Sequence, residues 1–480
     1  MEWKEKAIKV LKDSLYPIPT ELNELDWKSG LSPKTDRLAQ HISAFANLQG
    51  GGMFVFGVND NGTHFSIQKD EVDNIITLLG NIAQNNLSYS IKIEHAIIEY
   101  ENDALLFIHI PEQVDKPVYL RGRDLFNCYC RSAGQTIKMS QNQVKSLIAR
   151  SQGIKFEEQL ALEGQKVTDI FKLINYRKLF ELLDKTVPKS SESILKSLEE
   201  YNLCTHSNNQ WNITNLGAIL FANDIENFPG LKERSVIVRK YAGANNLNLV
   251  FEQIGKYGYA VGFEGLVDFL ILNTMSPENI DVIRKTESMY PKIAIREFVA
   301  NALVHQDFAL TGMPISIEIF ANRLSITNPG APLNDVNRLI DLPPHSRNEL
   351  LAQTLFLLGI CERRGSGIDR AIASIEEKHL PPIKFTKSEQ HTRVFLYPPK
   401  KIAEMTKEEK IRACYQHACL LHESNQTITN QSVRERFEIN KNNSSVASRI
   451  ISDTLEAGFI KLSDADIVSR KYATYVPYYA

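Results

Sequence analysis

Three polar side chains recur at every fourth residue of an otherwise apolar stretch, IAIREFVANALVHQDF (293–308): Glu297, Asn301 and His305. At ~100° per residue in a helix they form one drifting stripe on a single face. Burying a carboxylate, an amide and an imidazole together is costly unless partners satisfy them. Two glycine-containing loops follow, Asn328-Pro329-Gly330-Ala331-Pro332 and Arg363-Arg364-Gly365-Ser366-Gly367-Ile368. The second opens a helix, so its backbone N–H groups could cradle phosphate oxygens. The alternative is that the stripe only hydrogen-bonds to neighbouring loops.

A second constellation lies near the C-terminus, in QSVRERF, a turn, and NNSSVASRIISDTLEAG. Asn443, Ser445 and Arg449 stand at the front of the later helix, with Lys441, Arg434 and Arg436 nearby. Such side chains suit base edges and phosphates in a major groove. Glu435, Glu438, Asp453 and Glu456 are equally close and would suit a protein contact instead.

These groups need elements to hold them. A helix from Glu5 to Leu15 is expected, then one from Lys34 to Leu48 with Leu38, Ile42, Phe45 and Ala46 in register, stopped by Gly50-Gly51-Gly52. The strand MFVFGV ends in the turn Asn59-Asp60-Asn61-Gly62. A helix over 70–85, a hairpin of IKIEHAIIEY with ALLFIHI, a strand at LFNCYCRS and a helix near 140–150 complete an α+β domain. Helices over 167–184 and 191–202, then short strands at CTHS and QWNIT, have the order of a small winged-helix unit. Next come SVIVRKY, a Gly/Asn-rich loop and the apolar helix GLVDFLILN. From 291 to 398 the order is helix, ISIEIF, LSITN, Gly/Pro loop, helix, Gly loop, helix and TRVFLYP. That order suits helices on one face of a mixed sheet. The last ~80 residues again read as a winged helix, with a hairpin made of FIKLSD and ATYVP.

EFVANALVHQDF, ITNPGAPL, RNELLAQTLFLLGICERRGSGIDRAI and HTRVFLYP together resemble the divergent GHKL-type ATP-binding domain, an α/β sandwich. That version occurs in a family of bacterial predicted transcriptional regulators. The resemblance implies ATP and Mg²⁺ as cofactors. Glu297 would act as, or near, the general base for water, and Asn301 would hold the Mg²⁺. His305, Asn328, Gly330, Gly365, Ser366, Gly367 and Thr392 would line the nucleotide. Asn328 stands where the usual loop has its adenine-reading aspartate, and Pro332 replaces a second glycine. Nucleotide binding is expected; hydrolysis is left open.

Glu21, Asp26-Trp27-Lys28, ISAFANLQGGGMFVFGVNDNG, KPVYL and YCRSAGQT resemble the Schlafen AlbA-like domain over roughly 15–150. Members of that family bind nucleic acid, and some are RNA endonucleases using three carboxylates. By motif those would be Glu21, Asp26 and Asp60, which could hold Mg²⁺ or Mn²⁺ for phosphodiester cleavage. Glu21 and Asp26 are five apart, so convergence needs a bend between them. Lys28, Arg121, Arg123, Arg131 and Lys138 are candidate phosphate contacts, Arg131 foremost.

The 480 residues, 43% hydrophobic and 23% charged, suit an ordinary globular multidomain protein. A net charge of −2 confines nucleic-acid contact to local patches. No long apolar run or signal core is present, and the six scattered cysteines lack C-x-x-C spacing, so a cytoplasmic protein with reduced thiols is expected. The expected domains are a Schlafen-like domain over 1–152, a connector with a winged-helix-like unit over 153–232, the ATP-binding domain over 233–398 and a winged helix over 402–480. Three functions follow: a nucleotide-sensing, DNA- or RNA-binding regulator; a metal-dependent, nucleotide-gated endonuclease of RNA, tRNA or DNA in stress response or defence; or an interaction protein with a vestigial ATP site. A homodimer or higher oligomer is left open.

Overall fold

A computed structural model describes residues 2–16, 19–32, 34–132, 134–151, 155–207, 209–275, 288–343, 345–361, 366–388, 390–464 and 473–480. The packing divides into two units, Met1–Lys155 and Phe156–Ala480.

The first unit runs α1 (Glu2–Leu15), β1 (Leu25–Lys28), α2 (Thr35–Asn47), β2 (Gly52–Phe56), α3 (Lys69–Asn85), β3 (Glu94–Tyr100), β4 (Asp103–Ile110), β5 (Tyr129–Ser132), β6 (Gln135–Lys138) and α4 (Gln141–Ser151). One sheet has the order β1-β2-β4-β3, with β1 and β2 parallel and the other pairs antiparallel. Strand β2 is buried throughout, which is why it reads as a continuous apolar run. Its alternate side chains serve two cores. Phe54 and Phe56 pack with Leu38, Phe45 and Leu79 from the helices of one face, and Met53 and Val55 pack with Leu11 of α1 and Trp27. The short strand β1 is absent from the sequence-based expectation, because LDWK is too brief to show a period.

The second unit begins β7 (Leu160–Gln165), α5 (Val167–Leu173), α6 (Tyr176–Leu182), α7 (Ser191–Glu200), β8 (Cys204–Ser207), β9 (Gln210–Thr214) and α8 (Asn215–Phe221). The single helix expected over 167–184 is broken between α5 and α6. Asn175 donates its N–H to Phe221 O, and its side chain accepts from Lys178 N to start the new helix. The unit continues β10 (Ile237–Tyr241), β11 (Leu249–Ile254), α9 (Tyr259–Asn273), α10 (Lys292–His305), β12 (Ser316–Phe320), β13 (Arg323–Pro329), α11 (Glu349–Leu357), α12 (Gly367–Glu377), β14 (Lys384–Lys387) and β15 (His391–Leu396). These strands form a mixed six-stranded sheet, β11-β10-β12-β13-β15-β14, in which β10 and β12 are parallel. Strand β11, in the stretch read as a loop, pairs antiparallel with β10.

One continuous core, from Ile170 to Leu396, joins the expected connector to the expected ATP-binding domain. Helix α10 packs against β13, α9 and α12. Beyond Pro399 come α13 (Lys407–Glu423), α14 (Asn430–Arg436), α15 (Ser444–Glu456), β16 (Ile460–Leu462) and β17 (Tyr475–Pro477), with β16 and β17 antiparallel. Residues 465–472, between FIKLSD and ATYVP, lie outside the described residues. This segment has its own core around Cys414, Val433 and Ile450, against which Ile340 packs. Among the described residues no helix is long and apolar enough to cross a membrane.

Candidate functional site

In the second unit the polar stripe is held in register by the apolar faces of α10, where Ile295, Phe298, Val299 and Leu303 are buried. Asn301 Nδ2 donates to Glu297 Oε1 at 2.9 Å. Burial pushes the Glu297 carboxyl above its ordinary range, partly offset by that hydrogen bond and by the Arg370 charge. The carboxylate lies on the first residue of α12. A β-carbon on Gly367 would stand 2.0 Å from Glu297 Oε1 and 2.4 Å from Oε2. Here a glycine lets the positive end of α12 meet an acid directly. Asp369, in the first turn of α12, has its carboxyl raised to about 6 by burial and by the charges of Glu423 and Glu297.

The far end of α10 meets the loop after β13. Asn348 Nδ2 donates to Val304 O and Gln306 O, both at 2.8 Å, closing carbonyls that the helix end leaves open. His305 is pushed down to about 4 by burial and by the Arg347 charge, so its imidazole is neutral at physiological pH. Asn328 is buried in β13 opposite Thr392 of β15. Thr392 Oγ1 donates to Gly330 O at 2.8 Å, Asp307 N donates to Pro329 O at 2.8 Å, and Arg347 Nη2 donates to Ala331 O at 2.6 Å. Thus His305, Asn328, Gly330 and Thr392 gather at one end of α10, while Glu297, Asn301, Ser366 and Gly367 gather at the N-terminus of α12. Gly365, with Arg363 and Arg364, lies outside the described residues. Arg347, Asn348 and Asp369 are absent from the sequence-based site. RNEL and GIDR carry ordinary surface signatures, and only packing gives them roles.

The loop that starts at Gly330 reaches the C-terminal segment. Tyr415 Oη on α13 donates to Asn337 O at 2.6 Å, and Arg338 lies over the Tyr479 ring at 4.7 Å. Arg436, expected to add surface charge, is instead buried. Its Nη2 donates to Leu380 O at 2.8 Å and its Nε lies 3.3 Å from Glu376, which also meets His417 at 2.9 Å. Lys441, Asn443, Ser445 and Arg449 are all exposed around the start of α15, and Arg434 is half-buried with its Nε donating to Asn430.

In the first unit, the bend needed between Glu21 and Asp26 is a turn at Asn23-Glu24, after which β1 begins. Glu21 Oε1 accepts from Trp27 N at 3.1 Å. Asp26 is buried and meets three nitrogen bases: Lys28 Nζ, His41 Nδ1 at 2.5 Å and Arg131 Nη1 at 3.2 Å. Burial alone would raise its carboxyl, but the His41 hydrogen bond and the Lys28 charge win and hold it well below the usual range. Glu21 moves the other way, up to about 7, through burial and the adjacent Asp26 charge.

Arg131, expected on the surface as a phosphate contact, has a side chain 0% exposed. It bonds to Leu22 O, Leu25 O and Thr136 Oγ1 and lies over the Phe45 ring. The turn after it is glycine for a reason: a β-carbon on Gly134 would stand 2.4 Å from Glu21 O. Asp60 is exposed on its turn, which hangs from β1 through Gly57 N to Lys28 O. Among the described residues no group of three His, Cys, Asp or Glu side chains is arranged to hold a metal ion. The donor set at Asp26 does not suit a divalent cation, because that carboxylate already faces three basic side chains. His41 and Thr136, whose side chains lie 3.1 Å apart, are absent from the sequence-based site. A lone histidine next to apolar helix positions carries no signal of a partner 90 residues away.

The Schlafen, AlbA_2 family model matches residues 21–140. The model described as "Putative ATP-dependent DNA helicase recG C-terminal" matches residues 312–396. The chain therefore contains an AlbA_2-type domain and an ATPase-like domain. No curated protein matches it. Among solved structures, the DIP2311 protein from Corynebacterium diphtheriae is 13% identical, with 99% of this chain and 84% of that one covered and a TM-score of 0.42. The N-terminal domain of a "Putative ATP-dependent DNA Helicase RecG-related Protein" from Nitrosomonas europaea is 18% identical, with 28% and 92% covered and a TM-score of 0.20.

Proposed function

We propose that this chain binds ATP with magnesium at the Glu297–Asn301 face and uses the occupied state to control nucleic-acid binding by its C-terminal segment, read as a winged helix. The observation that carries this reading is the loop after β13. Its roots, Gly330 and Arg347, sit at the His305 end of α10, and its middle, Asn337 and Arg338, is clasped by Tyr415 and Tyr479. A ligand that moves the roots pulls on the segment carrying Lys441, Asn443, Ser445 and Arg449.

The donor set suits the group. Asn301 turns its nitrogen to Glu297, which leaves its carbonyl oxygen as the hard donor that magnesium takes. The α12 N-terminus offers N–H groups to phosphate oxygens. Magnesium held by the Asn301 oxygen would supply positive charge to neutralise the phosphates. Glu297 holds a buried proton-accepting oxygen beside them, with Asn328 in place of a carboxylate at the β13 end. The AlbA_2-type domain supplies a second nucleic-acid surface, with exposed Arg121, Arg123 and Lys138 as contacts. A nuclease centred on Asp26 is disfavoured by the bases that surround that carboxylate.

The test measures ATP–Mg²⁺ binding by calorimetry and DNA and RNA binding by fluorescence anisotropy, with and without nucleotide. Nucleotide is expected to change nucleic-acid affinity about fivefold or more, and Arg338→Ala with Tyr415→Phe to erase the change while nucleotide still binds. Nucleic-acid affinity indifferent to saturating nucleotide would sink the proposal.

A further inference from the structure

The two edges of the six-stranded sheet differ in kind. Strand β14 (KFTK) carries a lysine at each end, the usual guard against edge-to-edge pairing. Strand β11 (LVFEQI) has one charge, and Glu252 is already bound to Arg239 Nε at 2.6 Å. Leu249, Val250 and Ile254 are about half exposed on it. A bulge at Val250 disturbs its start and leaves Phe251–Ile254 regular.

The direction of its main chain follows from one bond. Gly255 N donates to Val236 O at 2.9 Å, so Gly255, Gln253 and Phe251 face β10. By the two-residue alternation of an antiparallel ladder, Glu252 and Ile254 turn their N–H and C=O outward. The Gln253 side chain meets this outer edge, donating to Ile254 O at 3.1 Å. Beside the edge, Ile254, Tyr257, Val261, Leu266 and Phe269 line a groove of about 400 Å³. Leu303 reaches it from α10, about 200° around the helix from Asn301, so the groove is separate from the nucleotide face. Tyr257 is 59% exposed at its rim.

We infer that β11 is a self-association edge, pairing antiparallel with β11 of a second copy about a two-fold axis at Gln253. An extended backbone is the occupant an edge of this kind selects, and this register is self-complementary. Glu252 of each copy faces Ile254 of the other, giving about four main-chain hydrogen bonds. Glu252 lies diagonal to Lys256 of the second copy, an acid against a base. Through their partners Ile237 and Tyr241, Ile254 and Leu249 share one face of the sheet, so pairing brings the exposed apolar side chains of the two copies together there. Two six-stranded sheets join into one across the axis.

Sedimentation velocity on the full chain over about 1 to 100 µM tests this. A concentration-dependent dimer is expected. Ile254→Pro removes an outward donor without touching the β10 ladder, and Val250→Lys sets a lysine at the end of the regular stretch, toward Lys256 of the other copy. Each is expected to weaken the dimer at least about tenfold with an unchanged circular dichroism spectrum. Should Ile254→Pro fail to fold, the exposed Val250→Lys variant decides alone, with protection of the Glu252 and Ile254 amides against hydrogen exchange as the second readout. A wild type that stays monomeric throughout, or a dimer untouched by Val250→Lys, overturns the inference, whatever else enters the groove.

Discussion

Gly367, at the start of α12, lies so close to Glu297 of α10 that a β-carbon there would stand 2.0 Å from the carboxylate oxygen. The acid therefore sits where a phosphate group would also be drawn, at a helix N-terminus. In the proposed reading, a bound phosphate and the Glu297 carboxylate would meet the same helix end.

Gly367→Ala is expected to swing the Glu297 side chain aside, since a carboxylate at the end of a flexible chain gives way before backbone does. Stability should fall by about 1 kcal/mol or less, while ATP affinity changes about tenfold or more. Asn301→Ala should weaken Mg²⁺-dependent binding to a similar degree. Calorimetry alongside thermal melts separates the two effects.

Asp26→Asn should be among the most damaging single changes in the first unit. It removes the negative charge that Arg131, whose side chain is 0% exposed, shares with His41 and Lys28, and leaves the guanidinium only Glu21 at 4.0 Å as an acidic partner. A loss of roughly 3–5 kcal/mol is expected from urea denaturation. If Asp26 were instead a solvated metal ligand, its removal would cost little stability.

Glu21 and Asp26 tie stability to pH with opposite signs. Glu21 has a folded value of about 7, above its ordinary 4.5, so its contribution is complete at low pH and is lost as pH rises from about 4.5 to about 7. Asp26 is depressed, so its contribution is complete above its ordinary value and is lost only as pH falls into the acid range. Glu21→Gln should flatten the stability curve between about pH 4.5 and 7; an unchanged slope there would show that Glu21 is not the group responsible.

Lys441→Ala with Arg449→Ala removes two exposed cations from the front of α15. If this face meets DNA, affinity should fall for all sequences and the salt dependence should lose about two ions, read from the slope of log K against log salt. An unchanged slope would assign the face to a protein partner.

The amino-acid order alone determined the long elements, the stripe of Glu297, Asn301 and His305 and the mixed character of the larger sheet. The first two are written in local periodicity, which a chain carries wherever it folds, and the last in the order of the elements. The tertiary structure decided the rest. It buried Arg131 against Asp26, placed His41 beside both and kept Asp60 on an exposed turn; it split the helix at Asn175 with a hydrogen bond to Phe221. It also turned Arg436 inward to Glu376 and made an edge strand from LVFEQI. Those outcomes depend on pairings across tens of residues, and a charge or a short strand has no local mark of the partner that satisfies it.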